Sequence, residues 1–136
     1  MFVMYLGIDY GERRVGLALA DKETKIVLPF KVLENKNLEQ ILEDLKKIIA
    51  EEKILKIIVG WPLNLKGEPT EKTQEVQEFV DILAKNVEVP VLTFDERLTS
   101  RAAKMLSAKK IDVGAAMLIL ESFLGQEKAR GKIYDL

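Results

Sequence analysis

The chain has 136 residues, 48% of them hydrophobic and 32% charged, which is the composition of one globular domain with enough apolar surface to build a core. It contains no cysteine and no histidine, so disulfides, thiolate metal sites, cysteine nucleophiles and imidazole acid–base chemistry are all excluded. The formal net charge of −1 gives no global positive field, so any nucleic-acid site has to be a local patch.

Three β-like runs come first, Phe2 to Asp9, Val15 to Ala20 and Lys25 to Leu33, separated by the Gly11 turn region and the polar Asp21–Thr24 stretch. Links this short suit antiparallel neighbours. Leu38, Ile41, Leu42, Leu45, Ile48 and Ile49 then recur at three and four residues, with Asn35 or Asn37 placed to cap, which predicts an amphipathic helix over 38–52. Ile54 to Gly60 is nearly continuous in apolar residues, as a strand buried on both faces requires, and the Pro- and Gly-bearing loop Trp61–Pro69 follows it. Val76, Phe79, Val80 and Leu83 predict a second helix over 70–86, and Val89 to Phe94 a fifth strand ending at Asp95–Glu96. Leu98, Ala102, Met105 and Leu106 predict a third helix, and Ala115, Leu118, Ile119 and Phe123 a fourth.

The order βββ-α-β-α-β-α-α, with no repeat or composition break, describes a single α/β domain over 1–136. Three antiparallel strands followed by helix-linked strands that join in parallel are the RNase H-like arrangement, a five-stranded mixed sheet flanked by helices. A Rossmann order fits less well, because there the first strand should lead straight into a helix. No apolar run approaches the roughly 18 residues needed to span a bilayer, and the N-terminus lacks a signal-peptide pattern, so the expected address is the cytoplasm with no membrane partner.

Asp9 falls at the end of the first strand, and Asp95 and Glu96 at the end of the fifth, which should run parallel to it and reach the same sheet edge. Asp112 comes at the start of the last helix, which can fold back over that edge. Acids gathered in this way repel one another unless a cation neutralises them, and oxygen-only ligands favour Mg²⁺ or Mn²⁺. Two such ions would suit phosphodiester hydrolysis. The plainer reading is that Asp95 and Asp112 cap helices. Strand alternation sends Asp95 and Glu96 to opposite faces, leaving open which of them reaches the ions.

From Arg97 through Ile111 there is no acid, while Arg97, Arg101, Lys104, Lys109 and Lys110 are basic. The first three are spaced i, i+4 and i+7, one helical face, which is either a phosphate-binding stripe beside the acids or an ordinary solvated face. Trp61 could stack on a base or simply pack.

The motifs IDYGERRVGLALAD, VGWPLNLKGEPT, VLTFDERLTSRAAKML and IDVGAAMLILESFL together resemble the YqgF/RuvX family over nearly the whole chain. That family has an RNase H-like fold, is described as Holliday-junction-resolvase-like, and is assigned the processing of the pre-16S ribosomal RNA end. The family's Asp-x-Gly falls on Asp9 and Gly11, and its Arg-x-Gly on Arg14, Val15 and Gly16. Its Asp-Glu-Arg falls on Asp95, Glu96 and Arg97, and its late Asp-x-x-Ala-Ala on Asp112, Ala115 and Ala116. Trp61 stands where the family often has a smaller aliphatic residue.

The resemblance implies a metal-dependent endonuclease with Asp9, Glu96 and Asp112 as ligands, Asp95 as ligand or support, and Arg14, Arg97, Arg101 and Lys104 on the nucleic acid. The substrate it implies is precursor ribosomal RNA or branched DNA, with the ribosomal subunit as a partner. A non-catalytic RNA- or ribosome-binding module is the competing reading. An ATP-binding relative is a third, for which the chain is too short to supply paired lobes.

Overall fold

The computed structural model describes residues 3–98 and 113–134. Its strands are β1 (Met4–Tyr10), β2 (Arg14–Asp21), β3 (Val27–Glu34), β4 (Ile54–Trp61) and β5 (Val91–Asp95). The described α-helices are α1 (Leu38–Glu51), α2 (Glu71–Asn86) and α3 (Val113–Tyr134), and a 3-10 turn, Glu96–Leu98, follows β5. The predicted helix through Ala102, Met105 and Leu106 lies outside the described residues.

The five strands form one sheet in the order β3-β2-β1-β4-β5. β1–β2 and β2–β3 are antiparallel, β1–β4 and β4–β5 parallel, as the lengths of the connections dictate. This is the RNase H-like arrangement expected from the sequence.

Alternation along the strands splits the core in two. Leu6, Ile8, Val15, Leu17, Leu19, Ile57 and Val59 face α1 and α2, which contribute Ile41, Leu45, Ile48, Val76, Phe79 and Leu83. Tyr5, Ala18, Ala20 and Ile58 face α3 and meet Ala116, Ile119, Leu120 and Leu124. Each fully buried Leu or Ile contributes about 1.5–3 kcal/mol relative to exposure. The two layers are built differently, because Gly7, Ala18 and Ala20 keep the β1–β2 surface low and let α3 sit close.

A Cβ at Gly7 would lie 2.5 Å from Leu120 Cγ and 2.9 Å from the backbone oxygen of Ala116. A helix backbone cannot step aside as a side-chain tip can, so Gly7→Ala should cost at least about 1–3 kcal/mol. Urea denaturation checks this, and an unchanged midpoint would show that α3 is free to shift.

Element boundaries moved where local chemistry overrides pattern. Asn37 is the N-cap of α1, accepting from the Gln40 N–H at 2.8 Å. Asn35 instead donates its side-chain amide to Gly11 O at 2.9 Å and its backbone N–H to Arg13 O at 2.8 Å, tying the β1–β2 turn to the end of β3. β3 starts at Val27 rather than Lys25, because Lys25 has a positive φ of 64° and closes the turn back onto Asp21. β5 starts at Val91, after Pro90, which has no N–H for a ladder. Trp61 is the last residue of β4, paired with Asp95, and not part of the loop.

β3 is an edge strand with Ile26, Leu28 and Val32 exposed on or beside it, and a register shift near Pro29 interrupts its pairing with β2. On the α3 face, Tyr5 shares Glu127 with Lys56, and desolvation by burial, then the Glu127 charge, holds its phenol above the usual range. No helix among the described residues is long and apolar enough to cross a membrane.

Candidate active site

Because β1, β4 and β5 are parallel, their carboxyl ends share one edge of the sheet, and every candidate acid that is described lies there. The faces separate them. Tyr5, Gly7 and Asp9 alternate onto the α3 side, and the β1–β2 register runs unbroken to Tyr10, so Asp9 projects toward the α3 layer. Asp9 is half-buried and penultimate in β1, one residue earlier than the strand end expected for it.

Its neighbours on both sides are glycines. Gly16 of β2 is its cross-strand partner. Gly60 of β4 stands one residue beyond the Ile8–Val59 pair. Asp9 is thus flanked in the sheet by two positions, Gly16 and Gly60, that bear no side chain of their own.

Glu96 fills the Gly60 side of this gap. A Cβ on Gly60 would meet Glu96 Oε1 and Ile119 Cδ1, each at 2.5 Å, which places the Glu96 carboxylate on the α3 face over β4. Arg14, the first residue of β2, alternates with Gly16 and Ala18 and so belongs to the same face. Asp9, Glu96 and Arg14 thus share one face of the sheet at its carboxyl edge.

Asp95 goes elsewhere. Phe94 packs toward α3, so alternation turns Asp95 to the opposite face. There it takes Arg97 in a two-pronged grip: Nε lies 3.1 Å from Oδ1 and Oδ2, the terminal nitrogen Nη2 2.7 Å from Oδ2, and the Arg97 N–H donates to Oδ1 at 2.9 Å. The Asp95 hydrogen bond, ahead of the opposing desolvation, raises the Arg97 guanidinium above its ordinary pKa. The same guanidinium lies against Gly67, where an added Cβ would be 2.9 Å from Nη1 and where φ is +83°. Asp95 therefore caps the 3-10 turn and fixes Arg97 against the β4–α2 loop.

That loop is internally braced. Asn64 Oδ1 accepts from the N–H groups of Lys66 and Glu68, both at 2.9 Å, and Leu63 bridges to Pro69. At its far end the buried Thr73 hydroxyl donates to Pro62 O while accepting from the Thr70 N–H in a capping box.

Of the residues nominated by sequence, Asp9, Glu96 and Arg14 lie on one face of the same edge, and Asp95 and Arg97 pair with each other on the other face. Arg97 stands in a 3-10 turn, so the 3.6-residue spacing that put it on one helical face with Arg101 and Lys104 does not apply to it. Arg101, Lys104 and Asp112 lie outside the described residues. Among the described residues no three acids are grouped closely enough to hold a metal ion. Sequence reasoning placed Gly16 in a motif and Asn35 as a possible cap and gave Gly60 no role at the site, because what each does depends on neighbours across the sheet; a further signal was that Gly16 and Gly60 each interrupt an otherwise apolar strand.

The sequence profile described as "RuvX: Holliday junction resolvase" matches residues 3–126. A relative from Maridesulfovibrio salexigens named "Putative pre-16S rRNA nuclease" is 37% identical over 89% of this chain and 97% of its own length. One of the same name from Chloroflexus aggregans is 36% identical over 88% of this chain and 91% of its own. Among solved structures, Thermus thermophilus RuvC with a Holliday junction substrate superposes with a TM-score of 0.64 at 14% identity, covering 88% of this chain and 91% of that one. The fowlpox virus Holliday junction resolvase gives 0.56 at 12% identity, over 90% and 99%. At these identities the structures establish the fold alone.

Proposed function

The chain belongs to the RuvX family, and on that premise we propose that it is a divalent-metal-dependent endonuclease that trims the end of pre-16S ribosomal RNA. The observation that carries this reading is the placement of Asp9 and Glu96 on one face of the carboxyl edge, with Gly16 and Gly60 as the strand neighbours there. Their donor set fits a hard cation, since the chain offers only oxygen ligands and a Gly60 side chain would occupy the place where Glu96 folds in. Asp9 and Glu96 would hold Mg²⁺ or Mn²⁺ together with Asp112. When bound, such ions activate water and stabilise the leaving oxygen of a phosphodiester.

The chain's own residues have separate tasks. Asp9 is held by its place in β1, and Glu96 lies over Gly60 of β4 at the start of the 3-10 turn. Arg14 supplies positive charge on the same face for a phosphate. Asp95 acts in support: it holds Arg97 against the loop at Gly67 and leaves Glu96 as the ligand of the pair. One domain carries the fold and the site, and a cytoplasmic address is consistent with its chemistry.

The test is incubation of purified protein with labelled pre-16S RNA and with four-way DNA junctions, each with Mg²⁺, Mn²⁺ or chelator. Metal-dependent trimming of the RNA is the expected result. Preference for the junction would favour the resolvase description of the family, and binding without cutting under any condition would leave a non-catalytic module.

Asp112 has its own test. A ligand role predicts that Asp112→Ser melts normally but does not cut, because a neutral hydroxyl cannot replace the charge a hard cation requires. A capping role predicts retained cleavage, since serine accepts the same backbone hydrogen bond.

A further inference from the structure

Two rigid projections flank the Asp9–Glu96 edge. The β1–β2 turn, residues 11–13, is closed by Gly11 N–H to Arg14 O at 2.9 Å and stapled from outside by Asn35. The β4–α2 loop is braced by Asn64 and by the Arg97 guanidinium at Gly67. Each projection presents an exposed cation, Arg13 on the first and Lys66 on the second. No salt bridge or side-chain hydrogen bond ties either of them to another described residue. Arg97, the cation that the sequence pattern favours, is already held by Asp95.

The surroundings restrict what can approach. On the α2 side of the same edge, a cavity of about 330 Å³ is no help to a polyanion: its walls include Glu12, Glu75 and Glu78 against a single cation, Lys36. Phosphates are repelled there, whereas Arg13 and Lys66 offer positive charge on the projections to either side of the edge. The β1–β2 turn and the β4 loop emerge from adjacent strands, which lie about 4.8 Å apart in a sheet. Two long basic side chains on such neighbours can reach phosphates on either side of one bond held at Asp9 and Glu96.

We propose that Arg13 and Lys66 are phosphate-binding residues that straddle the Asp9–Glu96 edge, so that the substrate strand crosses the sheet from the β1–β2 turn to the β4–α2 loop. The inference rests on the nuclease reading above and adds the direction of the bound strand. The ligand chemistry is the phosphodiester backbone, shared by RNA and DNA, and recognition is independent of base sequence.

The experiment is a salt titration of binding by the full chain, in Ca²⁺ to prevent cutting, with a labelled single-stranded RNA and a four-way DNA junction as probes. Arg13→Gln and Lys66→Gln should each lower the slope of log affinity against log salt by about 0.7 on RNA or about 0.9 on the junction, and the double variant by the sum. Lys46→Gln, on the exposed side of α1, should leave the slope unchanged. Melting temperatures of all variants should match the parent, because each of these side chains is exposed and its replacement breaks no salt bridge among the described residues. A parental slope in Arg13→Gln or Lys66→Gln, or an equal drop in Lys46→Gln, overturns the proposed path while the nuclease reading stands if the parent still cuts. A parent that binds neither probe overturns both.

Discussion

Asp9→Asn should abolish metal-dependent cleavage while leaving the fold intact. Asparagine keeps the shape of the side chain and removes the charge that a divalent cation needs from its ligand. Substitutions one shell outside a metal typically cost 10–100-fold, so loss of a direct ligand should exceed about 100-fold in rate. The metal-free protein should melt slightly higher than the parent, because Asp9 and Glu96 share a face and their mutual repulsion is relieved. Cleavage assays and thermal melts on one preparation read both effects. Full activity would remove Asp9 from the metal set, and a large drop in melting temperature would make it a structural residue.

Gly60→Ala should inactivate by a different route. The new methyl would meet Glu96 Oε1 and Ile119 Cδ1, both at 2.5 Å, and both are tips of side chains that can move. The fold should therefore survive with a loss of about 1–3 kcal/mol, less than when a backbone must yield, as at Gly7. Displacing Glu96 would take a carboxylate from beside Asp9, and cleavage should fall in parallel with metal affinity. Calorimetric titration with Mn²⁺ separates this from simple destabilisation: parental affinity in a folded Gly60→Ala protein would show that Glu96 does not face the metal.

The sheet was legible because its determinants are local or periodic. Short links forced the first three strands antiparallel, the 3.6-residue spacing of Ile41, Leu45 and Ile48 marked α1, and a helical crossover made β4 parallel to β1. From that topology alone, Asp9 and the Asp95–Glu96 pair had to share an edge. Alternation also said that only one of that pair could join Asp9. What it could not say was which, since that depends on β5 ending at Asp95 and on Glu96 folding over a glycine of the neighbouring strand β4. The helical spacing of Arg97 to Arg101 was real in the sequence, but it gave no sign that a carboxylate two residues earlier would hold Arg97. The choice between Asn35 and Asn37 as cap was equally closed to pattern, because Asn35 is recruited by the Gly11–Arg13 turn, a partner more than twenty positions away.

Pro29 gives the outer strand a protective property. An open β-edge bearing exposed Leu28 and Val32, next to Ile26, is a template on which another chain could add a strand and begin an aggregate. Proline offers no N–H to an incoming backbone, and the register shift beside it breaks the regular spacing that a growing cross-β stack must copy. The apolar residues of that margin can therefore remain in water without nucleating intermolecular sheets.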